Sequence, residues 1–183
     1  MEIFYKLIEV AVTLIEDTII ISSVVAISGR RYAIKKHVLG VWVSVVAMSL
    51  AVSGLNRIEM FSFITPIFGM LIVLLISRLL SSGSLLLRAT ACVTTFFVIQ
   101  SIDYILFIGM GLLHGNPNET FATFMSPGTL RNLYLFLNKV TDIVVFFLLR
   151  KDLHKLSSFR NSLQGLLFGA SLLSYCSMQY LFS

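Results

Sequence analysis

The sequence predicts an all-α fold: a polytopic integral membrane bundle of six transmembrane helices, with the N-terminus outside. Three observations predict it. Hydrophobic residues make up 57% of the 183-residue chain and charged residues only 13%, where soluble domains carry roughly 25% charged residues. The apolar residues form long runs of the ~20 residues that a membrane helix needs, and the mean hydropathy is +0.91. The basic residues between those runs gather on one side, in every second connection.

The elements follow in order. The first helix is expected over about 3–28, before the basic stretch GRRYAIKKH. Glu2, Lys6, Glu9, Glu16 and Asp17 replace the basic start and clean apolar centre of a cleavable signal, so this segment is expected to stay as a span. The second covers about 38–54 and ends at LNRIE. The third covers about 61–80, with Pro66 in its first turns, where proline is tolerated. The fourth, about 85–113, is longer than a perpendicular crossing and is expected to tilt. The fifth, about 129–149, follows the turn signal SPG, and the sixth covers about 162–182. These helices occupy the chain as a single domain over 1–183. No internal repeat, heptad pattern or inverted symmetry between halves appears, which argues against a repeat-built transporter.

Charge sets the expected orientation. Arg30, Arg31, Lys35 and Lys36 lie between helices one and two, Arg78 and Arg88 between three and four, and Arg150, Lys151, Lys155 and Arg160 between five and six. All fall on one side if every helix spans. Only Lys6, Arg57, Arg131 and Lys139 lie elsewhere, and HGNPNETFATFMSPG has no Lys or Arg. The positive-inside rule then puts both termini and that segment outside. The basic loops are expected to fix topology and touch anionic lipid, not nucleic acid.

Cys92 and Cys176 both lie in apolar runs and are expected to behave as small hydrophobes rather than to form a disulfide. His37, His114 and His154 fall in three separate loops, with no metal-ligand spacing. No metal and no cofactor is therefore expected.

The stretch YLFLNKVTDIVVFFLLRK is apolar enough to cross a bilayer, yet Lys139 and Asp142 sit in its middle. A charge at the centre of a membrane helix costs roughly 2.5–3.5 kcal/mol on insertion scales, so a partner is expected. Helical geometry supplies candidates. Glu9, Thr13, Glu16 and Asp17 share an arc of the first helix, and Gln100, Asp103 and Tyr104 share one on the fourth. Arg131, Asn132, Asn138, Lys139 and Asp142 share one on the fifth. Three polar stripes should face the bundle interior. Lys139 is expected to pair with Asp142 at i, i+3 and with Glu16 or Asp17 across an interface.

Four acids beside one base cannot all stay ionised at low dielectric, so the group is expected to draw protons or a cation. Two uses are open. The residues form interhelical hydrogen bonds that hold the bundle, or they line a polar cavity, open to the outside, that binds a ligand. Gly165 and Gly169 on the sixth helix form a GxxxG, read as packing within the chain. Tyr134, Phe136, Phe146 and Phe147 read as packing or lipid contacts.

Catalytic patterns are lacking. Asp103 and Asp142, in SIDYIL and VTDIVV, resemble no glycine-rich aspartyl-protease motif. Cys92 has no base beside it, and neither HExxH nor a phosphate-binding glycine loop occurs. The chain does not read as an enzyme.

Two stretches, LISRLLSSGSLLLRATACVTTFFVIQSIDYILF and LRNLYLFLNKVTDIVVFFLLRKDLHKL, resemble the membrane sensor region of accessory-gene-regulator-type peptide receptors of Firmicutes. In that family a polytopic sensor precedes a cytoplasmic histidine kinase with a GHKL ATPase domain. The resemblance implies a transmembrane sensor or receptor for an extracellular signal, a peptide, in a two-component, quorum-sensing pathway. Phosphoacceptor and nucleotide-binding boxes are missing here, and six helices would leave Ser183 outside. The chain is then the sensor part of a longer architecture or a kinase-less relative. The alternative is a small transport or substrate-binding subunit, as in vitamin importers, whose termini are cytoplasmic. The partner candidates are the bilayer, an extracellular peptide, a cytoplasmic kinase or regulator, and a second copy of the chain.

Overall fold

The computed structural model describes residues 2–55, 64–114, 128–153, 158 and 161–182. Among these the secondary structure is helical: α1 (Glu2–Ser28), α2 (Ile34–Leu55), α3 (Ile64–Leu80), α4 (Leu85–His114), α5 (Thr129–Leu153) and α6 (Asn161–Phe182). Four of them, α1, α2, α4 and α5, are long and apolar enough to cross a membrane. The apolar part of α3 is shorter, Ile67–Leu80. α6 has 22 residues, about 33 Å of rise, but Ser162, Gln164, Ser171, Ser174 and Ser177 make it more polar.

Two helices organise the packing. α1 touches α2, α3, α4 and α5, and α4 touches α1, α3, α5 and α6. Direction follows from paired side chains. Glu9 meets Arg131 and Glu16 meets Lys139, so numbers rise together and α1 runs parallel to α5. Thr90 Oγ1 donates to the Gln164 carbonyl (3.2 Å), and Thr94 lies 3.3 Å from Ser171. α4 therefore runs parallel to α6. Hairpins between parallel sets place the C-terminal ends of α1, α3 and α5 together.

That shared end is tightly built. α1 stops at Gly29, whose φ of 79° no β-carbon-bearing residue adopts easily. Residues 29–33 then lie beside 81–84. Arg31 N donates to Leu80 O and Ser82 N to Gly29 O, both at 3.1 Å, and Arg30 and Ser81 form an antiparallel bridge. Ser84 starts α4 by accepting from Leu87 N at 3.2 Å, as an N-cap does.

Several sequence readings are corrected here. α2 begins at Ile34, not 38, so Lys35, Lys36 and His37 occupy its first turn rather than a loop. Arg78 lies in the last turn of α3 and Arg88 in the first turn of α4. α5 continues to Leu153 and takes in Arg150 and Lys151. Lys and Arg are good helix formers, so these six charges mark the ends of helices, while Arg30 and Arg31 remain in the connection between α1 and α2. His114 closes α4 and likewise leaves the loop class. Residues 61–63 and His154 lie outside the described residues.

The apolar core sits in the half of the bundle nearest the basic end. Ile20, Ile21, Val24, Val25 and Ile27 of α1 pack with Val45 and Met48 of α2, Val73 of α3, and Ala91 and Cys92 of α4. Cys92 Sγ donates to Met70 O at 3.6 Å. Cys176 is exposed on α6, and both thiols are free. The outer surface is apolar: Leu39, Trp42, Leu50, Leu75, Ile105, Leu112, Phe136 and Leu148 are all exposed. Exposed apolar area on this scale marks a membrane or partner surface, and here it encircles the helices.

Gly83 marks the tightest approach. A β-carbon there would lie 2.6 Å from the Ser28 carbonyl oxygen, whereas Gly165 and Gly169 have nothing within 4 Å. The GxxxG of α6 is thus not a packing seam within the described residues. Gly83→Ala is expected to destabilise the protein by about 1–3 kcal/mol through overpacking. Gly165→Ala and Gly169→Ala should be neutral or stabilising by up to about 1 kcal/mol, because alanine is the better helix former. Denaturant titrations in detergent micelles check both.

Candidate functional site

The polar cluster lies at mid-length of α1 and α5. Consecutive helical residues point about 100° apart, so Glu16 and Asp17 cannot serve one partner. Glu16 faces α5, where Lys139 Nζ donates to its Oε2 at 2.9 Å. The same ammonium donates to Asp142 Oδ2 at 2.8 Å, one turn along its own helix. Asp17 turns instead to α2, where Ser49 Oγ donates to its Oδ2 at 2.5 Å. The shared arc expected for Glu16 and Asp17 is therefore split between two interfaces.

α4 joins through Asp103. Asn138 Nδ2 donates to Asp103 Oδ1, and the Tyr134 hydroxyl donates to the Asp103 carbonyl at 3.3 Å. Tyr134, read from sequence as a packing or lipid contact, is thus part of the polar cluster. Its ring also meets Phe107 edge-on, with centroids 6.5 Å apart. Gln100 and Tyr104, on the same arc of α4, hydrogen-bond each other. Arg131 lies two turns before Lys139, and its Nη2 is 2.6 Å from Glu9 Oε1. α1 and α5 therefore carry two ionic rungs.

Burial grades the cluster. The Asp142 side chain is fully buried and that of Lys139 is 6% exposed, while Glu16 is 36% exposed. The cluster is dry on the α5 side and opens where Glu16 stands. Two acceptors within it, Asn138 Oδ1 and Asp142 Oδ1, are buried without a hydrogen-bond partner. They lie at i, i+4, hence on one face of α5. Asp142 also borders a cavity of about 30 Å³ between α1, α4 and α5, alongside Ser23 and Thr95. By volume that space fits about one water, but its surface is almost wholly apolar.

Chemically the cluster offers carboxylates, one ammonium, an amide and a phenol, with hydrogen-bond acceptors in surplus. Among the described residues no three of His, Cys, Asp or Glu stand together as metal ligands. Sequence reasoning missed Ser49. Its only signal was a serine in the apolar run of α2, which does not say which helix lies opposite.

Removing one member of a buried pair leaves the other charge uncompensated, which costs about 3–5 kcal/mol. Lys139→Met is expected to destabilise by that order, and Lys139→Met/Asp142→Leu by less than Lys139→Met alone. Ser49→Ala strips Asp17 of its donor and should cost about 1–3 kcal/mol. Unfolding in micelles by the same titration measures all three.

The chain matches no family model, no curated protein and no solved structure, so its own geometry carries the functional argument.

Proposed function

We propose that the chain is a transmembrane sensor module. In this reading all six helices span a bacterial cytoplasmic membrane with the N-terminus outside, and the polar cluster of α1, α4 and α5 receives an extracellular peptide signal. The observation that carries it is Lys139, divided between Glu16 on α1 and Asp142 on α5, beside buried acceptors that have no partner. Ionisable groups inside a membrane bundle mark function more often than not. A peptide amine or amide reaching the cluster past Glu16 has acceptors waiting. By competing for these carboxylates it would loosen the α1–α5 pairing and favour a second packing, and such differential affinity is what drives a two-state response.

The six-span reading is supported by the parallel courses of α1 with α5 and of α4 with α6, as odd and even spans require. The orientation is supported by the basic residues at the shared end. The resemblance to accessory-gene-regulator receptors adds a cytoplasmic kinase or regulator as partner, and a second copy of the chain as a candidate neighbour.

Two measurements test the reading. A single cysteine placed at the N-terminus of a Cys92→Ala/Cys176→Ser chain should react with a membrane-impermeant maleimide in intact cells. Labelling only after lysis would favour the importer-subunit alternative. Peptide fractions from spent culture medium of the source strain should raise the unfolding temperature of the nanodisc-embedded protein, with the shift lost in Asp103→Asn and Lys139→Ala. A shift unchanged by both substitutions would remove the cluster as the receiving site.

A further inference from the structure

α2 and α5 both pack on α1 and leave a cleft between them. It consists of two adjoining cavities, about 400 Å³ and 240 Å³, that share Ser22 and His37. The floor is α1, from Thr18 through Ser22 to Gly29. One wall is α2, with Val38, Val41 and Trp42, and the other is Phe146 and Phe147 of α5. We propose that this cleft binds one anionic phospholipid, its phosphate held between Arg30 and His37 and an acyl chain laid along α1.

Four features converge. First, the walls away from the mouth are aliphatic and aromatic, and Trp42 is exposed at the rim. In a bilayer such a cleft fills with hydrocarbon, not water. Second, the floor from Thr18 to Gly29 rises about 16 Å at 1.5 Å per residue. That is half of the roughly 30 Å hydrocarbon core, the depth of one leaflet. Third, the mouth is cationic. Arg30 lines it, and Arg31, Lys35 and Lys36 stand exposed in the same loop and first turn. No acidic residue lines either cavity. Basic pockets between membrane helices hold lipid headgroups in this manner. Fourth, His37 Nδ1 is buried without a hydrogen-bond partner, in the first turn of α2. The positive end of the helix dipole favours an anion there, and the imidazole, which lines both cavities, would donate to a phosphate oxygen.

The headgroup position at Arg30 lies at the basic end, about 21 Å along α1 from Glu16, although the inner end of the cleft at Thr18 approaches the polar cluster, and the proposal does not rest on the sensor reading. The test uses the full chain reconstituted in nanodiscs of equal phosphatidylglycerol and phosphatidylcholine, extracted into mild detergent, with co-purifying lipid identified by native mass spectrometry. The wild type should retain one phosphatidylglycerol, at least fivefold over phosphatidylcholine. Arg30→Gln/His37→Gln should lose that preference while unfolding at the wild-type temperature. Ala26→Phe, which fills the floor, should lose the bound lipid altogether. Lys35→Gln/Lys36→Gln removes two positive charges from the same end, one more than Arg30→Gln/His37→Gln removes with His37 neutral, but none from the cleft, and should leave the preference intact. Equal retention of both lipids by the wild type would overturn the proposal. So would a loss of preference in Lys35→Gln/Lys36→Gln as large as in Arg30→Gln/His37→Gln.

Discussion

The ammonium of Lys139 is the fixed point of the molecule. A bilayer interior gives a charge nothing to bond, so a lysine at mid-helix folds only with its counter-charges in reach. Here one lies on its own helix, Asp142, and one on α1, Glu16. The second choice has structural reach. It fixes the rotation and height of α5 against α1, and Glu9–Arg131, two turns away, repeats the constraint. With two rungs in register, α1 and α5 can neither slide nor roll independently. Asn138 then extends the constraint to α4 through Asp103.

The halves of the bundle are held by different physics. Near the basic end the interior is close-packed isoleucine, valine and methionine. Lipid tails are as apolar as these side chains, so shape complementarity and dispersion hold that half. Around Glu16 the interior is polar and directional, and the geometry of hydrogen bonds sets the spacing. A well-packed half and a half with unused acceptors behave differently under perturbation. The first resists motion, and the second has acceptors, Asn138 Oδ1 and Asp142 Oδ1, that can take a new donor before any existing bond is broken.

Much of this was legible in the sequence, and the exceptions have physical reasons. The apolar runs located the helices because a bilayer imposes length and polarity together. Lys139 announced its need for acids because no isolated charge persists there, and a carboxylate at i, i+3 was visible on sight. What could not be read was direction. Glu16 and Asp17 are adjacent, and the sequence does not say which faces α5 and which faces α2; the answer depends on where Ser49 falls once α2 is placed. Tyr134 was ambiguous because its ring suits lipid and its hydroxyl does not. The basic residues misled about helix ends, since lysine and arginine are counted as loop charges for orientation yet are content in a first or last turn. Gly165 and Gly169 show the limit of a motif: the spacing is right, but within the described residues no backbone approaches them.

The junction of residues 29–33 with 81–84 separates two kinds of information. Main-chain amides and carbonyls lace it, Arg31 to Leu80 and Ser82 to Gly29, and the glycines at 29 and 83 clear the space. The cationic side chains, which speak to the membrane's electrical asymmetry, project from this lacing without forming it. Address and architecture are thus written in different atoms of the same few residues. Charges at this end can be edited at the bench while the hairpins stay sewn together, so what each cation does can be tested without unfolding the junction.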